Sequence, residues 1–210
     1  MIMIEVYAFA TPNSVKVPIM LEEIGLPYEL HAVNIRAGGQ KQPDFLALNP
    51  NAKVPVLVDT DADGGQLVLS ESAAILVYLA EKSGKLLPAA GAARARVFEQ
   101  LFFHASGLGV AFGNAGYFRK LAPEQVPLAI DRFSNEAQRV LGVLDGVLKE
   151  HRFAAGDELS IADIAHFGWL WRREFAGVSL DGMANVARYI AELEARPAFQ
   201  RAISRTVALA

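Results

Sequence analysis

Hydrophobic and polar residues alternate along the chain in two different rhythms. Up to about Lys82 the rhythm changes repeatedly between strand and helix. Met1–Phe9 is rich in strand formers and ends at Thr11-Pro12-Asn13. Val15, Ile19, Met20 and Ile24 then recur at helical spacing. Pro18 fits only the first turn of that helix, where its missing N–H has no intrahelical partner, and Gly25 and Pro27 stop it. Tyr28–Ile35 reads as a second strand, Gly38-Gly39-Gln40 as a loop and Pro43–Leu48 as a short helix. Val54–Val58 and Gln66–Leu69 read as two strands joined by a turn over Asp59–Gly65. Ser70-Glu71-Ser72 opens a helix with Ile75, Leu76 and Leu79 on one face. The order is β-α-β-α-β-β-α.

Beyond Gly84–Gly91 the strand rhythm is gone. Arg94–Phe118 reads as a long helix interrupted by Gly107, Gly109, Gly113 and Gly116, and Glu124–Lys149 as a second. Ser160-Ile161-Ala162-Asp163 is a capping-box pattern that opens a third, running to Glu174. Val186–Ala195 and Ala198–Val207 close the chain. Mixed elements followed by helices predict two domains, α/β then all-α: residues 1–83, a linker at 84–92, and 93–210.

Composition narrows the function. The chain has 210 residues, 52% hydrophobic and 20% charged, which suits a packed core. A net charge of −3 without a run of Lys or Arg argues against nucleic acid and anionic membranes as partners. No apolar stretch is long enough to span a bilayer, and Met1–Phe9 lacks the tripartite order of a signal peptide, so the cytoplasm is the expected location. The chain has no cysteine, which excludes disulfides, thiolate metal sites and a protein thiol nucleophile. Any sulfur chemistry must use a thiol carried by a ligand. His31, His104, His151 and His166 lack metal-ligand spacing. Asp59-Thr60-Asp61-Ala62-Asp63-Gly64 imitates the start of a calcium loop, but Ser70 stands where the loop needs Glu. No metal is expected.

Four signals, in order, resemble the glutathione transferase superfamily over nearly the whole chain. They are Thr11-Pro12-Asn13, Val54-Pro55, Glu71-Ser72-Ala73-Ala74-Ile75, and Ser160-Ile161-Ala162-Asp163-Ile164-Ala165 with Arg196-Pro197-Ala198. Thr11-Pro12-Asn13, Gly38-Gly39-Gln40, Gly107-Leu108-Gly109 and Ala129-Ile130-Asp131-Arg132-Phe133 are similar to the bacterial Nu class. The resemblance implies a thioredoxin-like first domain, an all-helical second domain, a homodimer, and reduction of small disulfides by glutathione in preference to conjugation of electrophiles. A non-catalytic binding module on the same fold is the third reading. The retained site residues speak against it.

Three tasks follow for the site that the resemblance implies. Glu71 and Ser72 stand at a helix start, where free N–H groups and the dipole favour the γ-glutamyl carboxylate; on the residues alone, Ser70 and Ser72 serve equally as helix caps. Val54-Pro55 stands where a peptide could pair. Sequence alone favours a trans bond, whereas the resemblance implies a cis bond that turns the Val54 backbone outward. Thr11 and Asn13 would donate to the glutathione thiolate, although Thr-Pro-Asn is also an ordinary turn and cap. Tyr7 lies inside a strand and reads as core. Gln40, Lys53 and Arg132 are candidates for further carboxylates. Phe112, Asn114, Tyr117 and Phe118 are candidates for a second-substrate pocket, where Gly116-Tyr117 departs from the class.

Overall fold

The computed structural model describes residues 3–210; Met1 and Ile2, the start of the expected first strand, lie outside the described residues. The chain forms two compact units, Met1–Lys85 with Glu194–Ala210, and Leu86–Leu193.

The first unit is built on a four-stranded mixed sheet in the order β2-β1-β3-β4. β1 (Ile4–Ala8) buries Ile4, Val6 and Ala8 and turns Glu5 and Tyr7 to the other face, the period of two that its sequence dictates. It runs parallel to β2 (Glu29–Ala32), with Ala8 opposite Ala32. It runs antiparallel to β3 (Val56–Ala62), with Tyr7 opposite Val56, and Val56 in turn faces Ser70 of β4 (Gly65–Ser70). This register matters for function. The end of β1, the end of β2, the start of β3 and the end of β4 all reach one edge of the sheet, so the segments that follow or precede them emerge together.

Helices α1 (Lys16–Ile24) and α2 (Pro43–Leu48) connect these strands, and α3 (Ser72–Ser83) follows β4. α3 buries Ile75, Leu76, Leu79 and Ala80, the stripe its spacing predicts. Two elements differ from the sequence reading. β2 stops at Ala32 because the Asn34 side chain takes the N–H groups of Arg36 and Ala37 at 3.0 and 3.1 Å and starts a 3₁₀ turn over Ile35–Ala37. The β3–β4 hairpin is longer than expected, its strands reaching Ala62 and Gly65. Asp59 belongs to the core: it is fully buried, and its carboxylate accepts from Tyr78 Oη and Lys82 Nζ, both at 2.8 Å. Those partners account for the first carboxylate of the calcium-like acidic run.

α10 (Pro197–Val207), grouped with the helical half in the sequence reading, is part of the first unit and packs on α1. Phe199 and Ala202 are buried, while Arg196 grips Glu23 in a bidentate pair at 2.7 and 2.9 Å and Arg201 and Arg205 hold Glu22 at 2.8 and 3.2 Å.

The second unit is helical. α4 (Gly91–Phe103) passes through a single π turn, His104–Leu108, into α5 (Gly109–Lys120). α6 (Pro127–Glu150), α7 (Ile161–Trp171), α8 (Arg173–Ala176) and α9 (Ala184–Glu194) follow. α7 is buried from Ile161 to Leu170 and starts with the expected capping box. Gly116, where the sequence departs from the class it resembles, has a steric reason: a Cβ there would lie 2.1 Å from the Phe175 ring. Among the described residues no helix is long and apolar enough to cross a membrane.

Candidate functional site

The loop after β1 is tied to itself. Thr11 Oγ1 donates to Ser14 Oγ at 2.9 Å, and the Ser14 N–H donates back to Thr11 Oγ1 at 3.1 Å. The loop feeds α1, whose first residue is Lys16. This lysine is only 1% exposed. Its ammonium donates to Asn13 Oδ1 at 2.9 Å and to Ser72 Oγ at 3.4 Å. An ammonium has only donors, so it fixes which way the Asn13 carboxamide points. The oxygen faces the lysine. The Asn13 NH₂ has no acceptor among the described residues. Burial is the larger influence on Lys16 and lowers its pKa to about 7, against the opposing pull of the Glu71 carboxylate.

Glu71 and Ser72 stand at the start of α3. Glu71 is the N-cap with φ 68° and ψ 109°, a conformation seldom adopted by a residue with a Cβ, and no side chain caps the helix. The sequence alternative, serines that cap α3, therefore does not describe this end. The N–H groups of Ser72, Ala73 and Ala74 have no partner among the described residues. Three aligned donors and the helix dipole make this a place for a carboxylate.

The Val54–Pro55 peptide bond is cis. Neither the N–H nor the C=O of Val54 is hydrogen-bonded among the described residues, while its side chain packs on the Val33–Phe45–Val56 cluster. The segment before it is organised by Asn49, a buried residue that the sequence reading missed. Asn49 Nδ2 donates to the Lys53 C=O at 2.8 Å, and its Oδ1 accepts from the Asn51 N–H at 3.0 Å. Ala52, at φ 54°, completes this turn, and Lys53 is exposed. Gln40 sits in the 3₁₀ turn Gly39–Lys41 after β2, with its amide oxygen buried and without a hydrogen-bond partner among the described residues.

Thr11, Asn13, Gln40, Lys53, Val54, Pro55, Glu71 and Ser72 thus lie in segments that leave one edge of the sheet. Tyr7 is apart from that loop. It is partly buried rather than a full core residue; its hydroxyl donates to Glu5 at 3.0 Å, and its ring stacks on His31 at 4.8 Å.

The other candidates belong to the second unit. Phe112 is a packing residue, fully buried and edge-on to Trp169 at 6.4 Å. The Asn114 amide donates to the Val110 C=O of its own helix at 3.0 Å. Tyr117 is exposed, with Phe118 at 5.2 Å, and Arg132 is exposed on α6. Among the described residues no group of three or more His, Asp or Glu could hold a metal ion.

Comparison with known proteins identifies the family. Residues 10–82 match the glutathione S-transferase N-terminal domain, and residues 115–197 match its C-terminal domain. The chain is 40% identical to the disulfide-bond oxidoreductase YfcG of Escherichia coli K12, over 96% of this chain and 94% of that one. It is 36% identical to the disulfide-bond oxidoreductase YghU of the same organism, over 94% of this chain and 73% of that one. Among solved structures, a glutathione transferase family member from Pseudomonas fluorescens Pf-5 with two glutathiones bound superposes with a TM-score of 0.91 at 42% identity, over 96% of this chain and 92% of that one. A glutathione transferase from Pseudomonas putida with one glutathione disulfide bound per subunit gives 0.91 at 40% identity, over 96% and 91%. With both domain models matched in order and relatives at this identity along nearly the whole length, the chain belongs to the glutathione S-transferase family.

Proposed function

We propose that the protein binds glutathione and uses its thiolate to reduce small or mixed disulfides. The observation that supports this most is a set of polar groups without partners among the described residues, all on segments that leave one edge of the sheet: the Val54 backbone, the N–H groups at the start of α3, and the Asn13 NH₂. A γ-glutamyl carboxylate fits the N–H groups of Ser72, Ala73 and Ala74, and the exposed Glu71 carboxylate suits the neighbouring ammonium. The cysteinyl N–H and C=O fit Val54, as an added strand would. The sulfur then falls beside Thr11 and Asn13, where the Asn13 NH₂ is the uncommitted donor and the Thr11 hydroxyl must turn its proton from Ser14 Oγ to reach it. Gln40 and Lys53 are suited to the glycyl end of the peptide.

The chemistry is thiol exchange. A free thiol titrates near ~8.5, and donors aimed at the sulfur lower that value, each unit being worth about 1.4 kcal/mol of preference for the thiolate. The glutathione thiolate attacks one sulfur of the substrate disulfide. A new S–S bond forms, the old one breaks, and the leaving thiolate takes a proton from solvent. A second glutathione thiolate attacks the mixed disulfide, releasing the other thiol and glutathione disulfide. The chain has no cysteine, so both sulfur nucleophiles must come from glutathione. The relatives named as disulfide-bond oxidoreductases, and the structure holding glutathione disulfide, favour this reading over conjugation.

The test is a paired assay with glutathione and either hydroxyethyl disulfide or chlorodinitrobenzene. We expect faster turnover of the disulfide, and a loss of at least about tenfold in the Thr11→Ala, Asn13→Ala double variant. Faster turnover of chlorodinitrobenzene would move the reading to conjugation. Failure to bind glutathione would make the chain a module without this activity.

A further inference from the structure

We propose that Lys16 is a positioning residue for the thiolate, its buried ammonium joining the Asn13 carboxamide and the Ser72 hydroxyl so that the sulfur end and the carboxylate end of the site are set by one charge. The inference rests on the reading of the site as a glutathione site and adds a residue to it.

Three observations carry it. The first is geometric: Nζ is 2.9 Å from Asn13 Oδ1 and 3.4 Å from Ser72 Oγ, so a single group spans two segments that are 56 residues or more apart in sequence. The second is the environment. Lys16 is itself buried, in a stretch Val15–Met20 whose other residues are buried and apolar. A buried ammonium is costly there. It also stands at the first residue of α1, the end of a helix at which a cation is disfavoured. Neither choice serves stability. The third is direction. With its oxygen held by the ammonium, the Asn13 carboxamide is polarised so that its NH₂ becomes a better donor, and that NH₂ is the group without an acceptor.

The charges around Lys16 make the effect depend on pH. Glu71, at the start of α3, is the carboxylate that favours the charged form. The cations of α10 lie against α1 but are committed elsewhere, Arg196 to Glu23 and Arg201 and Arg205 to Glu22. With a pKa near 7 in the unliganded protein, the ammonium is lost progressively above neutrality. Thiolate formation requires higher pH, and the ammonium requires lower pH. Their combination gives a bell-shaped dependence of kcat/KM for disulfide reduction, with a falling limb that belongs to Lys16.

The test uses the wild type, Lys16→Met and Lys16→Gln. The ionisation of bound glutathione is followed by thiolate absorbance in the ultraviolet, alongside the pH profile of kcat/KM. In the wild type we expect a depressed thiolate pKa and a falling limb. In both variants we expect the thiolate pKa to rise by about one unit, a tenfold fall in the thiolate-to-thiol ratio at fixed pH, and the falling limb to vanish. Lys16→Gln keeps a neutral donor of similar length and guards against misfolding of Lys16→Met. Unchanged thiolate pKa and pH profile in a folded variant overturn the proposal, whatever happens to melting temperature or glutathione affinity. A wild type that binds no glutathione fails earlier and separately, taking the functional reading with it.

Discussion

The two units each bury a charged residue near the start of a helix, and they treat it in opposite ways. In the second unit the Asp163 carboxylate accepts from the Ala154 N–H, the Ser160 N–H, the Ser160 hydroxyl and the Tyr189 hydroxyl, all at 2.8–2.9 Å. Every donor points inward, the partners come from α9 and from the loop and N-cap that precede α7, and the charge stands at the favourable end of its helix. In the first unit Lys16 stands at the unfavourable end. Its partners Asn13 and Ser72 belong to segments with polar groups still unpaired. A network closed on itself holds a fold. One that leaves directed donors over is prepared for a ligand.

The largest test of that contrast is Asp163→Ala. It strands four buried donors at once, and we expect a loss of about 3–5 kcal/mol in chemical denaturation. For a chain of this size that lowers Tm by roughly 6–20 °C. A variant that melts within a degree or two of the wild type would remove the structural half of the comparison.

Lys16→Met should go the other way, with a pH dependence whose sign is fixed. Lys16 has its ordinary value of 10.5 when unfolded and about 7 when folded, because burial outweighs the attraction of Glu71. Between those values the unfolded chain holds the extra proton, so wild-type stability rises with pH across this window. Below it the folded protein bears the full cost of a buried ammonium. Lys16→Met should therefore be more stable than the wild type at pH 6, by about 1–3 kcal/mol after allowance for lost hydrogen bonds, with the advantage shrinking toward pH 10. Denaturation curves at pH 6, 8 and 10 decide it. A variant weaker than the wild type at all three values would make Lys16 a strut like Asp163.

The asymmetry also explains what the sequence disclosed. Only the capping box of the Asp163 network was legible, because it is local: Ser160 and Asp163 are three residues apart and the apolar run of α7 follows at once, whereas Tyr189 reaches Asp163 from 26 residues away. The stripe of α3 and the turn at Thr11–Asn13 were legible for the same reason. Lys16 was not. A lysine at the start of an amphipathic helix reads as solvated, whereas here α3 packs on α1 and brings Ser72 to it from 56 residues away. The packing of α10 on α1 was not legible either, because it rests on pairs such as Arg196 with Glu23, which are 173 residues apart. Asp59 looked like a turn residue because Tyr78 and Lys82 lie beyond the next strand. Long-range pairing of polar groups leaves no period to read.

The smallest effect, and the one that separates fold from site within a single residue, is expected at Glu71. Its φ of 68° is open to glycine without penalty, whereas a residue with a Cβ is held there at a cost on the order of 1 kcal/mol or more. Nothing caps α3 through that side chain, so its removal strands no donor in the fold. Glycine brings more backbone freedom to the unfolded chain, which offsets part of the relief. We expect Glu71→Gly to be more stable than the wild type by about 0.5–1 kcal/mol, read from denaturation midpoints. Glutathione affinity, measured by calorimetry, should fall by about tenfold as the partner proposed for the ligand ammonium is lost. Stability and affinity moving in opposite directions from one substitution is what a strained, ligand-facing residue requires. If both fell together, the unusual backbone at Glu71 would be part of how α3 is held, and the division drawn between a closed network and an open one would fail at its most exposed point.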